Sequence, residues 1–401
     1  MARSRTIIIA GAGIGGLTAA LALARAGFRA VVLEQAQKLE EAGAGIQLSP
    51  NATRVLFGLG LAERLRPLVV APEALRIVNG ASARDIVRLP LGKIAQARYG
   101  APYWVIHRAD LQAVLAAAIS ESPDVTLRLG TRVEDFAIHQ HGVTVVARDA
   151  QGTAQGTRDE QGVALIGADG LWSTLRTRFG DRGAPRFGGR TAFRAVVPAS
   201  RVIAEFRAGV TGLWLGRDAH LVHYPVRGGR EVNIVAIVRD AWHEAGWSAP
   251  ASANELAPRF ARFAPVARAL IAIPERWQKW ALFDRPPGRP RQQGAVTLIG
   301  DAAHPMLPFL AQGGAMAIED AAVLARSLER NEDIVRALRA YEQARRHRVS
   351  RVQRAARLNS WGYHLAGPLG LARNGMLGAL GGENLLRRYD WLYGWRPEQG
   401  A

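Results

Sequence analysis

The sequence predicts an α/β protein: a parallel sheet of the dinucleotide-binding type, an antiparallel sheet inserted into it, and helices at the C-terminal end. Three observations point there. The chain opens with a strand, a glycine turn, a helix and a second strand in "TIIIAGAGIGGLTAALALARAGFRAVVLE" (6–34). Two later apolar runs, "ALIGADG" (164–170) and "VTLIGD" (296–301), are short, unbroken and stop at Gly or Asp. The text between them alternates apolar and polar residues, the period of a sheet with one covered face.

Each element has a local reason. Ile7–Ile9 form a buried strand, the Ala/Leu-rich stretch 17–26 a helix that Gly27 ends, and 30–33 the next strand. "SPNATRVLFGLGLAERLRPL" (49–68) begins with a Ser-Pro-Asn start signal and continues as helix. Residues 71–98 read as short strands and turns, 107–119 as a helix with Asp110 near its start, and 125–147 as antiparallel strands. Four half-exposed antiparallel strands follow between Arg190 and Asp240, then helices from about Gly314 to Asn359 and a Gly- and aromatic-rich tail from Trp361. The parallel-sheet text falls in three blocks. The expected division is a Rossmann-like nucleotide domain from 1–70, 97–180 and 283–355, a substrate domain from 71–96 and 181–282, and a helical tail over 356–401.

Composition narrows the function classes. The 401 residues contain no cysteine, which excludes disulfides, thiolate catalysis and Cys-based zinc sites and fits a reducing cytoplasm. The net charge is +18, but 49 of the 52 basic residues are arginines spread along the chain, so no nucleic-acid site is expected. No apolar run reaches the ~20 residues of a membrane span, and the one after Arg5 is too short for a signal peptide.

Three motifs carry chemistry. Gly11, Gly13 and Gly16 form GxGxxG between a strand and a helix: the first glycine for the tight turn, the second for approach of a pyrophosphate, the third for helix–strand packing. Glu34, 18 residues on, ends the second strand where a carboxylate can accept from an adenosine ribose. This context predicts a bound dinucleotide and does not separate NAD from FAD. Asp169 and Asp301 each end a buried strand beside a glycine. Taken alone, either reads as a helix cap or turn residue. Taken with the first motif, three strand ends converge on one extended cofactor.

The combination resembles the single-component FAD-dependent aromatic hydroxylases, most closely the salicylate hydroxylase and 3-hydroxybenzoate 6-hydroxylase branch. "HRADLQ" (107–112), "GADGLWSTLR" (167–176) and "GDAAHPMLPFLAQGGAMAIEDA" (300–321) carry it, and it covers nearly the whole chain. There is no second GxGxxG, as in this class, where NADH or NADPH binds only transiently. The resemblance implies that Gly11, Gly13, Gly16 and Glu34 hold the ADP half of FAD. Arg108 meets the pyrophosphate or ribityl chain with Gln112 nearby, Asp169 lies at the ribose or pyrophosphate, and Asp301 binds the ribityl hydroxyls. Residues 308–314, with Gly313 and Gly314, present backbone N–H groups to the flavin ring. "GAGIQLSP" (43–50) runs beside the ring with Gln47 aimed at the substrate cavity, able to hydrogen-bond but not to act as a base.

"HLVHYPV" (220–226) puts His220, Val222 and Tyr224 on one strand face and His223 on the other. His220 and Tyr224 resemble the base histidine and substrate-binding tyrosine of the branch. Arg194 and Arg217 are candidates for a substrate carboxylate. Pro308 lies where substrate meets flavin, in a place where the 3-hydroxybenzoate enzyme has glutamine and salicylate-type enzymes have proline. His139, His141, His243 and His364 show no ligand spacing and are expected at the surface, no metal site is expected, and the Arg-rich stretch 336–357 is expected to be a solvated helix face. The implied activity is hydroxylation of a small phenolic or aromatic acid with NAD(P)H and O2 through a flavin C4a-hydroperoxide. The alternatives are an epoxidase or hydroxylase of an isoprenoid or quinone precursor, or a flavin-binding sensor. A homodimer is an open possibility, and "RRYDWLYGWRP" (387–397) is expected to pack on the FAD domain or on a partner.

Overall fold

The computed structural model describes residues 5–39, 44–149, 157–181, 183–286 and 292–400. Thr6–Ala10 is central in a six-stranded sheet. It pairs in parallel with Arg29–Leu33 on one side and with Ala164–Gly167 on the other, and Val296–Leu298 lies beyond Ala164–Gly167. Val125–Arg128 adds to the far edge, also in parallel. That corrects the antiparallel expectation for its part of 125–147. The helix Arg108–Ser120 precedes it as a crossover and brings the chain back in the same direction. The antiparallel strands there are Thr131–His139 and Gly142–Asp149, joined by Thr157–Gly162.

The helices Ile14–Arg25 and Gly313–Arg330 pack on this sheet. Their close approach needs a small residue: a Cβ at Gly15 would lie 3.2 Å from that of Ala317. The loop 300–312, which ends on the second of these helices, is thereby set over the glycine turn that opens the first.

The second sheet has eight strands, in the order Ser248–Ala251, Trp277–Asp284, Arg186–Pro198, Glu231–Arg239, Ala219–Val226, Val210–Leu215, Ala74–Asn79 and Asp85–Pro90. The half-exposed expectation for 190–240 does not hold, because both faces are covered. Phe193, Trp214, Leu221 and Ile234 face a core completed by Phe260 and Leu270. The other face turns toward the first sheet and encloses a cavity, so its polar residues meet that cavity and not bulk water. Within 71–98, Gly92–Tyr99 is a helix where strands and turns were expected. "KIAQARY" is made mostly of helix formers, and Gly100, in the left-handed region at φ +73°, stops it.

At the C-terminal end Gly313–Arg330 is followed by one 30-residue helix, Ile334–Tyr363, started by the Asp333 side chain accepting from the Arg336 N–H. The boundary expected at 356 falls inside it. Shorter helices, Gly367–Leu380, Gly382–Arg387 and Asp390–Tyr393, fold back on the same chain. Arg348 donates to the carbonyls of Trp391 and Leu392 (both 3.0 Å), and Asp390 pairs with Arg98. Among the described residues no helix is long and apolar enough to cross a membrane.

Candidate active site

Two cavities meet between the sheets. The outer one, about 710 Å³, is lined by Gly11, Glu34 and Asp169 at the strand ends of the first sheet and by Trp172, Trp280 and Phe283 opposite. The inner one, about 360 Å³, is lined by Gly13, Gln47, His220, Tyr224, Gly313 and Gly314. Arg108, Arg194, Asp301 and Pro308 line both, so the space is continuous from the glycine turn to the face of the second sheet.

The glycine turn is shaped for a backbone-hugging ligand. Gly11 has φ +107°, and a Cβ there would lie 2.5 Å from the Ala168 carbonyl oxygen. At Gly16 a Cβ would fall 1.9 Å from the Gly11 oxygen, so this residue serves packing. At Gly13 a Cβ would meet no protein atom within 4 Å, and no side chain caps the helix that starts there. The first N–H groups of that helix therefore face open space, as anion binding requires. The Glu34 carboxylate accepts from the Ala12 N–H (2.7 Å) and the Ala36 N–H (2.9 Å), fixing the turn from the second strand. Buried Gln112 donates to the Ala12 carbonyl (3.1 Å) and braces the turn from behind instead of lining the groove.

Asp169 does the capping job. Its Oδ2 accepts from the N–H groups of Thr174 (2.9 Å) and Leu175 (3.3 Å). Its Oδ1 is buried without a protein partner, and burial pushes the carboxyl up. Asp301 is reached by water through the groove yet lies deep in the protein. Burial raises its pKa and the nearby Arg108 charge works against that.

A buried ionic network, absent from the sequence expectations, fixes the loop 300–312. Asp320 accepts from the Gly300 N–H (2.8 Å), from His304 Nε2 (2.5 Å) and from Arg345 Nε (2.6 Å). Burial pushes the Asp320 carboxyl up, but His304 and Arg345 outweigh it and hold the group well below the usual carboxylate range. Glu319 pairs with Arg345 (2.7 Å) and Arg348 (2.6 Å) and accepts from Asn51 Nδ2 (2.7 Å), which also reaches Gln312 Oε1 (3.1 Å). Arg345 is 2 % exposed, so the solvated-face expectation for 336–357 fails at that position. Farther along the same helix, Gln353 donates to the Pro305 carbonyl (2.8 Å), and Asn359 and Tyr363 donate to that of Phe309 (both 3.0 Å).

In the inner cavity His220, Val222 and Tyr224 share the wall, while His223 packs behind it against Phe206 and Trp214. Tyr103 donates to Gln47 Oε1 (2.5 Å). Tyr224 abuts Gly45, where a Cβ would fall 2.4 Å from its ring. His220 is 2 % exposed, ringed by Phe309, Tyr363 and His364, and held well below its ordinary pKa by burial first and then by His364 and Arg190. The expectation that His364 is a surface residue is wrong: it is buried and its Nε2 lies 2.9 Å from His220 Nδ1. Arg217 is exposed beside Asp218 and lines neither cavity, whereas Arg194 lines both. Gly43, at the start of the 43–50 segment, lies outside the described residues.

A sequence profile described as "FAD binding domain" matches residues 4–356. The chain is 39% identical over 389 residues to "3-hydroxybenzoate 6-hydroxylase 1" of Aquipseudomonas alcaligenes, covering 97% of each. The chain belongs to the single-component FAD-dependent aromatic hydroxylases. It is also 39% identical over 392 residues to "3-amino-4-hydroxybenzoate 2-monooxygenase PtnB3" of Streptomyces platensis, covering 97% of this chain and 95% of that one. Among solved structures it is similar to a salicylate hydroxylase substrate complex (TM-score 0.81, 26% identity, 98% and 96% of the two chains). It is also similar to Klebsiella pneumoniae HpxO complexed with FAD and uric acid (TM-score 0.85, 26% identity, 98% and 97%). FAD is the cofactor, with NADH or NADPH as the reductant. The groups present fit it: the open space before Gly13 and the acceptors Asp169 Oδ1, which has no protein partner, and the accessible Asp301 carboxyl lie along the two continuous cavities.

Proposed function

We propose that this hydroxylase acts on a small phenolic carboxylic acid, a hydroxybenzoate in the first instance, with His220 as the base. The observation that carries this is the shared wall of the inner cavity. A buried imidazole, the Gln47–Tyr103 pair and Tyr224 surround about 360 Å³ that opens onto the groove at Asp301 and Pro308. The relatives named for 3-hydroxybenzoate and 3-amino-4-hydroxybenzoate support the same substrate class.

Bound FAD supplies the redox chemistry, taking a hydride from NAD(P)H and activating O2. The protein's residues do the rest. Gly11 and Gly13 would seat the diphosphate, with Gly16 packing the helix against the turn and Glu34 and Asp169 at the adenosine end. Arg108, Asp301 and the N–H groups around Gly313 and Gly314 place the other end. Arg194, at the junction of the cavities, offers a cation to the substrate carboxylate. Neutral His220 accepts the phenol proton, which makes the ring electron-rich. Its depressed pKa keeps it unprotonated before substrate arrives. Tyr224 and Gln47 orient the ring, and the apolar wall of Val222, Val235 and Ile237 excludes water. The enzyme acts as a cytoplasmic protein, drawing on the nicotinamide pool there.

The test is stimulation of NADH and NADPH oxidation by salicylate, 3- and 4-hydroxybenzoate and hydroxynicotinates, with product analysis. One of these phenols is expected to stimulate oxidation and be hydroxylated. His220→Gln is expected to lower its turnover by about 10²–10⁴-fold with FAD retained. Unchanged turnover and pH profile in that variant would remove His220 as base.

A further inference from the structure

We propose that His364 is a positioning residue and proton acceptor for His220, so that the base is a two-histidine relay. The inference rests on His220 being the base. It follows from three groups in a row. His364 Nδ1 lies 2.6 Å from the Ser360 carbonyl oxygen, and His364 Nε2 lies 2.9 Å from His220 Nδ1. A carbonyl oxygen only accepts, so His364 Nδ1 carries a proton. In neutral His364 the Nε2 is then bare and accepts, so the donor is His220 Nδ1–H. Neutral His220 has one ring proton, which leaves its Nε2 with a free lone pair. The Ser360 carbonyl thus dictates, through two rings, the tautomer His220 needs to take a proton at Nε2.

The surroundings keep the pair neutral. Burial is the main cause at both rings, with Arg190 adding to the depression of each. At His364 the hydrogen bond to the Ser360 carbonyl and, less strongly, Asp218 oppose this, while Arg373 also lowers the pKa, leaving it down at about 4. The other faces of His220 are closed by Phe309 and Tyr363, whose centroids lie 5.5 Å from it.

The step balances without any further reagent. The phenol O–H breaks and an N–H bond forms at His220 Nε2. The His220 Nδ1–H bond then breaks and one forms at His364 Nε2. The positive charge now sits on His364, and its Nδ1–H bond to Ser360 becomes charge-assisted. At 9 % exposure His364 is nearer to water than His220 at 2 %, so the cation ends in the less desolvated place. The Ser360 carbonyl cannot take the proton, so the relay ends at this ring.

Histidine-selective ¹⁵N NMR of the FAD-loaded protein reads the tautomers directly, and turnover with the stimulating phenol reads their consequence. The wild type is expected to show His220 and His364 as Nδ1–H tautomers, neutral at pH 7. His364→Gln can still accept from His220 Nδ1–H but cannot take the proton. It should keep the His220 tautomer and lose roughly 10-fold or more in kcat, with KM little changed. His364→Phe should lose both and fall further, within the 10²–10⁴ range of removing a base. An Nε2–H tautomer at His220 in the wild type overturns the proposal, as does full activity and an unshifted pH profile in His364→Phe. If His220→Gln is fully active while the wild-type tautomers are as stated, it is the base assignment that fails and the hydrogen-bonded lock that stands.

Discussion

Asp320→Asn removes one charge from a fully buried cluster. The side chain has three donors within 2.8 Å: the Gly300 N–H, His304 Nε2 and Arg345 Nε. An amide keeps one acceptor and turns an N–H₂ toward a donor, so at least one of these contacts is lost. Breaking a buried ion pair by removing one partner costs about 3–5 kcal/mol. Here Glu319 still contacts Arg345 at 2.7 Å, which places the cost near the lower end, about 3 kcal/mol. That is on the order of a hundredfold in the folding equilibrium. Because the folded-state pKa of Asp320 is depressed, its stabilisation is complete above the unfolded value of about 4 and fades as pH falls below it. Urea unfolding of the FAD-loaded protein, followed at several pH values, measures the difference. A loss under 1 kcal/mol at pH 7, or a gap between variant and wild type that stays constant on acidification, would refute the assigned role of this network.

Other perturbations test the groove and the cavity. Gly11→Ala, with its left-handed backbone and a 2.5 Å clash with the Ala168 carbonyl, should yield protein that does not retain FAD. Yellow protein with normal flavin absorbance would contradict that. Gly45→Ala would push a methyl 2.4 Å from the Tyr224 ring, so a severalfold higher KM for the phenol with FAD still bound is expected, measured by steady-state kinetics. Pro308→Gln introduces an amide at the junction of the two cavities and should raise turnover of 3-hydroxybenzoate relative to salicylate, an outcome that competition assays decide.

What the sequence made legible is what is local. The glycine turn, the strand ends at Asp169 and Asp301, and the period-two face of His220 and Tyr224 each depend on a few neighbouring residues. Contacts between distant segments were less visible. His364 follows a helix end, 144 residues from His220, and nothing in its own neighbourhood points inward. Arg345 did leave a trace: it sits four residues after buried Tyr341 and four before buried Val349, on the apolar stripe of its helix. An arginine on that stripe requires a buried partner, and the adjacent Glu319-Asp320 pair in a helix otherwise apolar on that side is the obvious one. The exposure of the second sheet was misjudged because a polar residue facing a cavity and one facing solvent give the same alternation.

The 30-residue helix Ile334–Tyr363 holds Asp320 through Arg345, meets the loop 300–312 at Gln353, Asn359 and Tyr363, and leads directly into His364. A helix of that length is a rod of about 45 Å, with each residue turned about 100° from the last. Inserting or deleting one residue between positions 345 and 364 would swing one end's side chains out of register with the other by that angle. The count of this rod is constrained along with its inward face: the Asp320 network and the His220–His364 contact are held in phase by the number of residues between Arg345 and His364.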